Sequence, residues 1–351
     1  MQDIVSIGLL GTGVGRFLHL PGYLSVPNAV VKAIFSTNNL EAKNASDIYE
    51  IPAVYTNWRR LIEKSDIDLV DIALPPFLHY PVAMTAMQRG CHILCEKPMA
   101  VNLEQANNML QAAENTSVIH MINHQLRFNK KYNLVKSIID EGQIGKIYHV
   151  IWSNISNFRS NGEMPWNWWS DEKAGGGNLL TSASHVVDTM RWMFGEIGAV
   201  SGQLGTWIKK RPTNSGIRRT VTSDDQYSLL LETESGVLIS NFVSAMGQHD
   251  LGNNIEIIGS EGTMILDKQG VLMLGKKGKA IHKLSNKNIQ SINSKDDWTE
   301  SFVDLARELT GAIIENRSLN SGATFYDGFH TQKVLDSLKK SWKERRWIFI
   351  E

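Results

Sequence analysis

"IGLLGTGVGR", residues 7–16, joins a short apolar run to three glycines and then to a segment with helical spacing. A glycine loop directly after a strand and before a helix is an arrangement that holds a dinucleotide. Gly11 allows the tight turn, Gly13 lets the backbone approach a pyrophosphate, and the amides around Thr12, Val14 and Gly15 at the helix start meet its charge. The third glycine of the usual spacing belongs at position 16, where this chain has Arg16. An ordinary glycine-rich turn has the same composition, so the flanking strand and helix carry the reading.

Working outward, residues 4–10, 30–35, 69–74, 92–95 and 118–122 are apolar runs, separated by helix-like segments such as 81–88 and 103–114. Strands alternating with helices over the first 120 or so residues predict a doubly wound parallel sheet of the Rossmann type. After "MPWNWWSDEKAGGG" (164–177) and one helix, the rhythm changes. Strand-like runs meet at tight turns in "ETESGV", "GSEGT" and "DKQGV", which predicts antiparallel hairpins. From about Asp297 apolar residues return to helical spacing. The expected architecture is α/β: a dinucleotide-binding domain over 1–123, then an α+β domain over 124–351 with a large, mostly antiparallel, open-faced sheet. The C-terminal helices can pack back on the first domain.

Composition agrees with two well-packed domains. The 351 residues are too many for one core, with 42% hydrophobic and 21% charged residues. Lys plus Arg and Asp plus Glu both total 36, so no basic field points to nucleic acid. No leader-like or membrane-length run is present, so a cytoplasmic protein without membrane attachment is expected. Cys91 and Cys95 lie four apart on a predicted strand, on one face about 13 Å from each other, too far for a disulfide. Free thiols fit a reducing compartment, and no further cysteine or histidine pair completes a zinc site, so no metal is expected.

The second strand ends in "FSTNN" rather than in the acid that accepts the ribose hydroxyls of NAD. Ser36 and Thr37, with Lys43 further on, can accommodate a 2′-phosphate, so the cofactor is read as NAD(P) with a lean towards NADP. Ligands of such sheets bind beyond the carboxyl ends of the strands. "ALPPFLH" places Leu74, Pro75 and Pro76 at that crevice, with His79 opening the next helix. "HILCEKPMA" (92–100) raises a sharper question, because a buried strand has no need of Glu96 and Lys97 at its exit. An ammonium at that edge can hydrogen-bond a substrate oxygen as a hydride leaves, and partial desolvation lowers its pKa. A solvated Lys97 paired with Glu96 is the plain alternative. In "GGGNLLTSASHVVDTMRWMFG" (175–195), a helix puts Thr181, His185, Asp188 and Trp192 on one stripe and Val186, Met190 and Met193 on the other. His185 can move a proton at neutral pH; a structural histidine capped by Asp188 fits the same spacing. Trp168, beside Trp166 and Trp169, offers an aromatic face for sugar C–H surfaces, and core or subunit packing would use it equally well.

Taken in order, the glycine loop, "ALPPFLH", "CEKP", "NHQLRF", the triple glycine and "SHVVD" resemble the Gfo/Idh/MocA family of sugar and cyclitol oxidoreductases. The later "IEIIGSEGTMIL" and "YDGFHTQKVLDSLKKSWKERRW" extend the resemblance over nearly the whole chain. It implies that Lys97 is a catalytic, nicotinamide-facing lysine before a cis proline at Pro98, that His185 is the catalytic histidine with Asp188 as its following acid, and that Arg127 and Phe128 lie near the cofactor. Many members carry an aspartate four residues before the histidine; this chain has Thr181, which can orient a hydroxyl but cannot stabilise an imidazolium by charge. The expectation is an NAD(P)-dependent oxidoreductase acting on a CH–OH group of a sugar, cyclitol or related polyhydroxy compound, and homo-oligomeric (dimer or tetramer) through the open sheet face. Two alternatives are a dinucleotide-binding regulator without turnover and a biliverdin reductase-like enzyme.

Overall fold

The apolar run before the glycines is β1 (Val5–Leu10), and all its side chains are buried. A strand apolar on both faces belongs inside a parallel sheet covered by helices. In the computed structural model, which describes residues 3–64, 66–284 and 294–351, β1 is central in a six-stranded sheet. Its companions are β2 (Ala29–Phe35), β3 (Ala53–Tyr55), β4 (Leu69–Ile72), β5 (His92–Cys95) and β6 (His120–Ile122). The order is β3-β2-β1-β4-β5-β6 and every pairing is parallel.

The connecting helices are α1 (Leu20–Tyr23), α2 (Asn39–Tyr49), α3 (Trp58–Lys64), α4 (His79–Gln88) and α5 (Leu103–Glu114). Asn38 and Asn102 cap α2 and α5 by accepting main-chain N–H groups of the first turn. The helix after the glycine loop is less regular than its spacing predicts. A wide, π-type turn covers Gly15–His19, and only then does α1 begin. Pro21, in the first turn of α1, has no N–H to continue a regular ladder from the preceding turn, which accounts for the break. The strand β3 escaped the sequence reading because its three half-buried residues form no marked apolar run.

The chain divides into two compact units, Met1–Asn129 with Asn293–His330, and Lys130–Ile292 with Thr331–Glu351. The long helix Ser294–Glu315 therefore belongs mainly with the parallel sheet, where Phe302, Leu305, Ala306 and Leu309 are buried with Val5, Ile7 and Leu94. Full burial of a phenylalanine such as Phe302 contributes about 1.5–3 kcal/mol.

The second unit holds α6 (Lys130–Asp140), β7 (Ile147–Ile155), α7 (Asn178–Phe194), β8 (Ile197–Gly205), β9 (Lys210–Pro212), β10 (Arg218–Thr220), β11 (Gln226–Thr233), β12 (Leu238–Ser244), β13 (Gly252–Gly259), β14 (Gly262–Leu266), β15 (Leu272–Lys276), β16 (His282–Lys283) and β17 (Ile348–Phe349). Nine of these strands form a mixed sheet of order β16-β15-β14-β13-β7-β12-β11-β8-β17, antiparallel throughout except for the β7–β12 pair. Turns in all three glycine-containing stretches join β11 to β12, β13 to β14 and β14 to β15. One face, with Leu229, Leu231 and Ile239, is buried, and α7 packs on β11 and β12. On the other face Ile151, Leu230 and Leu238 are exposed. Cys91 and Cys95 are free and buried, and burial pushes both thiols up. Among the described residues no helix is long and apolar enough to cross a membrane.

Candidate active site

The parallel sheet reverses its winding between β1 and β4, and ligands of such sheets bind outside the strand ends at that point. The glycine loop leaves β1 there, Leu74 and Pro75 follow β4, and Glu96–Pro98 follow the neighbouring β5.

The three glycines have separate jobs. Gly11 has φ +119°, and a Cβ on it would lie 2.1 Å from the Ala73 carbonyl oxygen. Gly13 is exposed at the crest, and a Cβ there would meet no atom within 4 Å. Gly15 is buried, with Leu9 and Ala73 side chains 3.2 and 3.3 Å from where its Cβ would be. Close helix–strand packing, normally the work of the third glycine, falls to Gly15, so Arg16 does not interrupt the motif. An open crest, exposed Val14 and free space over Gly13 fit a pyrophosphate, which makes this loop a fitting cradle for a dinucleotide.

At the end of β2 the structure adds a residue that the strand-end reading passed over. Thr12 Oγ1 lies 3.0 Å from Ser36 Oγ and donates to Glu41 Oε2 at 2.8 Å. Asn38 Nδ2 holds the other Glu41 oxygen at 3.0 Å, and Asn38 N donates to Ser36 Oγ at 3.2 Å. Thr37 is exposed beside them. The acid missing from the strand end is supplied by the first turn of α2.

His79 is fully buried, its ring nitrogens 2.8 Å from the Pro98 carbonyl and 2.7 Å from the Leu74 carbonyl. Burial lowers its imidazole from the ordinary value, against the pull of those carbonyls. Its place is a tie between the ends of β4 and β5. Lys97 is half-buried, and its peptide bond to Pro98 is cis. Burial lowers its ammonium pKa, and the Glu96 carboxylate opposes the fall. Glu96 is buried. Its Oε1 accepts from Asn123 Nδ2 at 2.5 Å and faces His19 Nε2 at 3.1 Å, while its Oε2 accepts the Lys97 main-chain N–H at 3.2 Å. His19 Nδ1 is 2.7 Å from Asp71 Oδ2, which also accepts the Tyr23 hydroxyl at 2.9 Å. Arg127 pairs with Asp327 at 2.8 Å and donates to the Gly322 carbonyl at 3.2 Å.

In the second unit, α7 starts where Gly177, at φ +96°, admits the close approach of Asp224. Asp224 Oδ2 accepts the Leu179 N–H at 3.0 Å, and burial raises its carboxyl to about 7. Thr181 Oγ1 donates back to the Gly177 carbonyl at 2.6 Å. Thr181 and His185 are half-buried, but Asp188 is fully buried, so the polar stripe turns into the core after His185. Val186, Met190 and Met193 are buried as their spacing predicts. Trp169 lies under Arg159 and Trp166 under Arg219, with the Trp166 indole N–H on the Thr220 carbonyl at 2.9 Å. Of the three tryptophans, Trp168 has neither tie and is half-buried.

His19, Asp71, Asn123, Glu41 and Asp224 were missed from the sequence. One of them had a signal: Asp71 interrupts the apolar run "LVDIAL", and a carboxylate inside a buried strand demands a buried partner.

Residues 5–124 match an oxidoreductase family with an NAD-binding Rossmann fold, and residues 132–265 match the GFO/IDH/MocA C-terminal domain. Levoglucosan dehydrogenase of Pseudarthrobacter phenanthrenivorans is 30% identical over 100% of this chain and 99% of its own. The structure of a levoglucosan dehydrogenase in complex with NADH and L-sorbose superimposes with a TM-score of 0.90 at 25% identity, covering 99% of each chain. An NAD binding oxidoreductase from Klebsiella pneumoniae gives 0.88 at 25% identity, over 99% of this chain and 100% of its own.

Proposed function

Since the chain belongs to the Gfo/Idh/MocA oxidoreductases, with their NAD-binding Rossmann domain and C-terminal domain, we propose that it exchanges hydride with a secondary alcohol or ketone of a sugar, cyclitol or related polyhydroxy compound. The observation that carries this reading is Lys97, held half-buried at the carboxyl end of β5, one strand from the switch point. When bound, the dinucleotide supplies the hydride acceptor or donor at its nicotinamide. Gly11, Thr12, Gly13, Val14 and Gly15 hold its pyrophosphate, and Leu74 and Pro75 line its crevice. Lys97 donates a hydrogen bond to the reacting oxygen, and its lowered pKa brings it nearer the range of an effective acid. His185 takes up or returns the hydroxyl proton, while Thr181 and Trp168 contact substrate and Asp188 supports the histidine from the core. Screening polyols and ketones for a change in nicotinamide absorbance tests the reading. Tight dinucleotide binding without turnover on any of them would favour the regulator, the reading that Thr181 in place of an aspartate keeps open.

The cofactor is NAD on this reading. The lean towards NADP rests on the absence of an acid after β2, and Glu41 supplies one, held by Thr12, whose hydroxyl also meets Ser36, and by Asn38. A carboxylate accepts ribose hydroxyls and repels a 2′-phosphate. Glu41→Gln is expected to tighten NADP on the order of tenfold and to weaken NAD severalfold. Titration of both cofactors by fluorescence checks this, and equal shifts would remove Glu41 from the ribose site.

Two further proposals concern the whole molecule. The exposed sheet face carries a depression of about 610 Å³ lined by Ile151, Leu230, Phe242 and several serines. This depression is not the candidate active site; its open strands favour a second copy of the chain as cover. Two buried free thiols favour a cytoplasmic setting.

A further inference from the structure

The cluster around His19 has no part in the reaction as set out above, yet it lies directly under it. His19 closes the turn that begins at Gly15, so it belongs to the cofactor loop; Glu96 adjoins Lys97. Between them all the polar groups are buried. Asp71 reaches His19 from β4, Glu96 from the end of β5, the Tyr23 hydroxyl joins Asp71 from α1, and Asn123 joins Glu96 from the end of β6. Phe302 stacks on the imidazole with centroids 4.4 Å apart, and the buried Cys95 thiol feels both carboxylates. Among the described residues no cluster of His, Cys, Asp or Glu is arranged to hold a metal.

Each ring nitrogen of His19 faces a carboxylate oxygen; Nε2 also lies 3.3 Å from Asn123 Nδ2, but that amide has its much nearer acceptor in Glu96 Oε1 at 2.5 Å. A neutral imidazole has one N–H and one lone pair, so one of the two contacts would set a lone pair against an anion. Only the imidazolium donates to both. Asp71 and Glu96 are in turn carboxylates in a dry interior, which their shared cation makes tolerable. Glu96 thus stands between two cations, with the Lys97 main-chain N–H on its second oxygen. Without the imidazolium it would retain Asn123 and that amide, and its field would fall on Lys97 undivided.

We propose that His19 is a positioning residue for Lys97: its imidazolium fixes Glu96 beneath the Lys97 backbone, shares the Glu96 charge, and ties the cofactor loop to the catalytic strand end. The inference rests on the reading of Lys97 as catalytic. Burial opposes the charge on His19, but Asp71 and then Glu96 outweigh it and bring its pKa to about 9, against an ordinary 6.5. Burial likewise opposes Glu96, yet His19 first and then Lys97 and Asn123 take it down to about 2 from 4.5. A raised histidine stabilises fully below its unfolded value and loses that contribution as pH rises through its folded one; a depressed carboxylate does the reverse. Both contributions are therefore present between pH 4.5 and 6.5, and the His19 contribution is lost as pH climbs through about 9.

The test uses the full chain, wild type and the double variant His19→Gln/Asp71→Asn, which removes a cation and an anion together so that the fold is kept. In wild type, 15N NMR of labelled histidine, with the His19 signal assigned by its absence in the variant, is expected to report two protonated ring nitrogens at neutral pH and titration near 9. A single neutral tautomer at pH 7 would overturn the proposal. Thermal stability of wild type is expected to fall between pH 6.5 and 9, and that fall should be absent in the variant. In the variant, acylation of Lys97 by acetic anhydride, read by mass spectrometry, is expected to slow by about fivefold, because Glu96 holds the ammonium more firmly. With a substrate in hand, kcat should drop on the order of tenfold with KM for NAD nearly unchanged. A variant with wild-type Lys97 reactivity, or with kcat recovered along with stability, would reduce His19 to a structural residue. If no substrate is found, the functional reading fails, while the NMR and acylation results still decide the role of His19.

Discussion

Lys97→Met is expected to lower kcat by a factor on the order of a hundred to ten thousand while leaving cofactor affinity nearly unchanged. Methionine keeps most of the length and the apolar stem but offers no donor to oxygen. The loss should therefore appear in the chemical step rather than in binding, as it would for an interaction made chiefly in the transition state. The Glu96 cluster does not depend on the lysine side chain, because His19, Asn123 and the main-chain N–H of Lys97 hold it. Folding should survive. His185→Asn is expected to give a loss of similar order, and the double mutant a loss well below the product of the two, if both groups serve one proton-transfer step as proposed. Steady-state kinetics of the three variants checks this; multiplicative losses would mean that the two residues act in separate steps.

The second large effect separates two glycines that lie two residues apart. Gly11→Ala places a methyl 2.1 Å from the Ala73 carbonyl oxygen at a φ of +119°. Neither the backbone of β1 nor that of the segment after β4 can yield without opening the sheet at its switch point. We expect a loss of stability of about 3 kcal/mol or more, with Tm down by roughly 10 °C and cofactor binding lost with it. Gly13→Ala meets no atom within 4 Å, so its Tm should stay where it is. A methyl on the exposed crest instead occupies space that a pyrophosphate needs, and NAD affinity should fall on the order of tenfold or more. Calorimetry and NAD titration on both variants give the comparison. Unchanged NAD binding in Gly13→Ala would take the pyrophosphate away from this loop.

Much of this molecule could be read from local pattern. The parallel sheet, its helices and the hairpins of the second unit follow from hydrophobic period and glycine position, because those periods state directly which face a residue buries. The strand His92–Cys95 and the helix Leu103–Glu114 came out with the boundaries that the structure has. The place of Lys97 just beyond a buried strand was legible for the same reason: a charge at the end of an apolar run stands out against its neighbours.

What tertiary structure alone decided is which polar groups meet. Nothing near Glu96 in the chain names His19, 77 residues earlier, as its partner, or Asp71, 52 residues from that histidine. Thr12 and Glu41 lie 29 residues apart and meet only because β1 and β2 pair in parallel, so an acid absent from the strand end reappears from the next helix. Local sequence reports burial, since hydrophobicity is a property of each residue; a buried charge takes its meaning from its partner, and the fold chooses the partner.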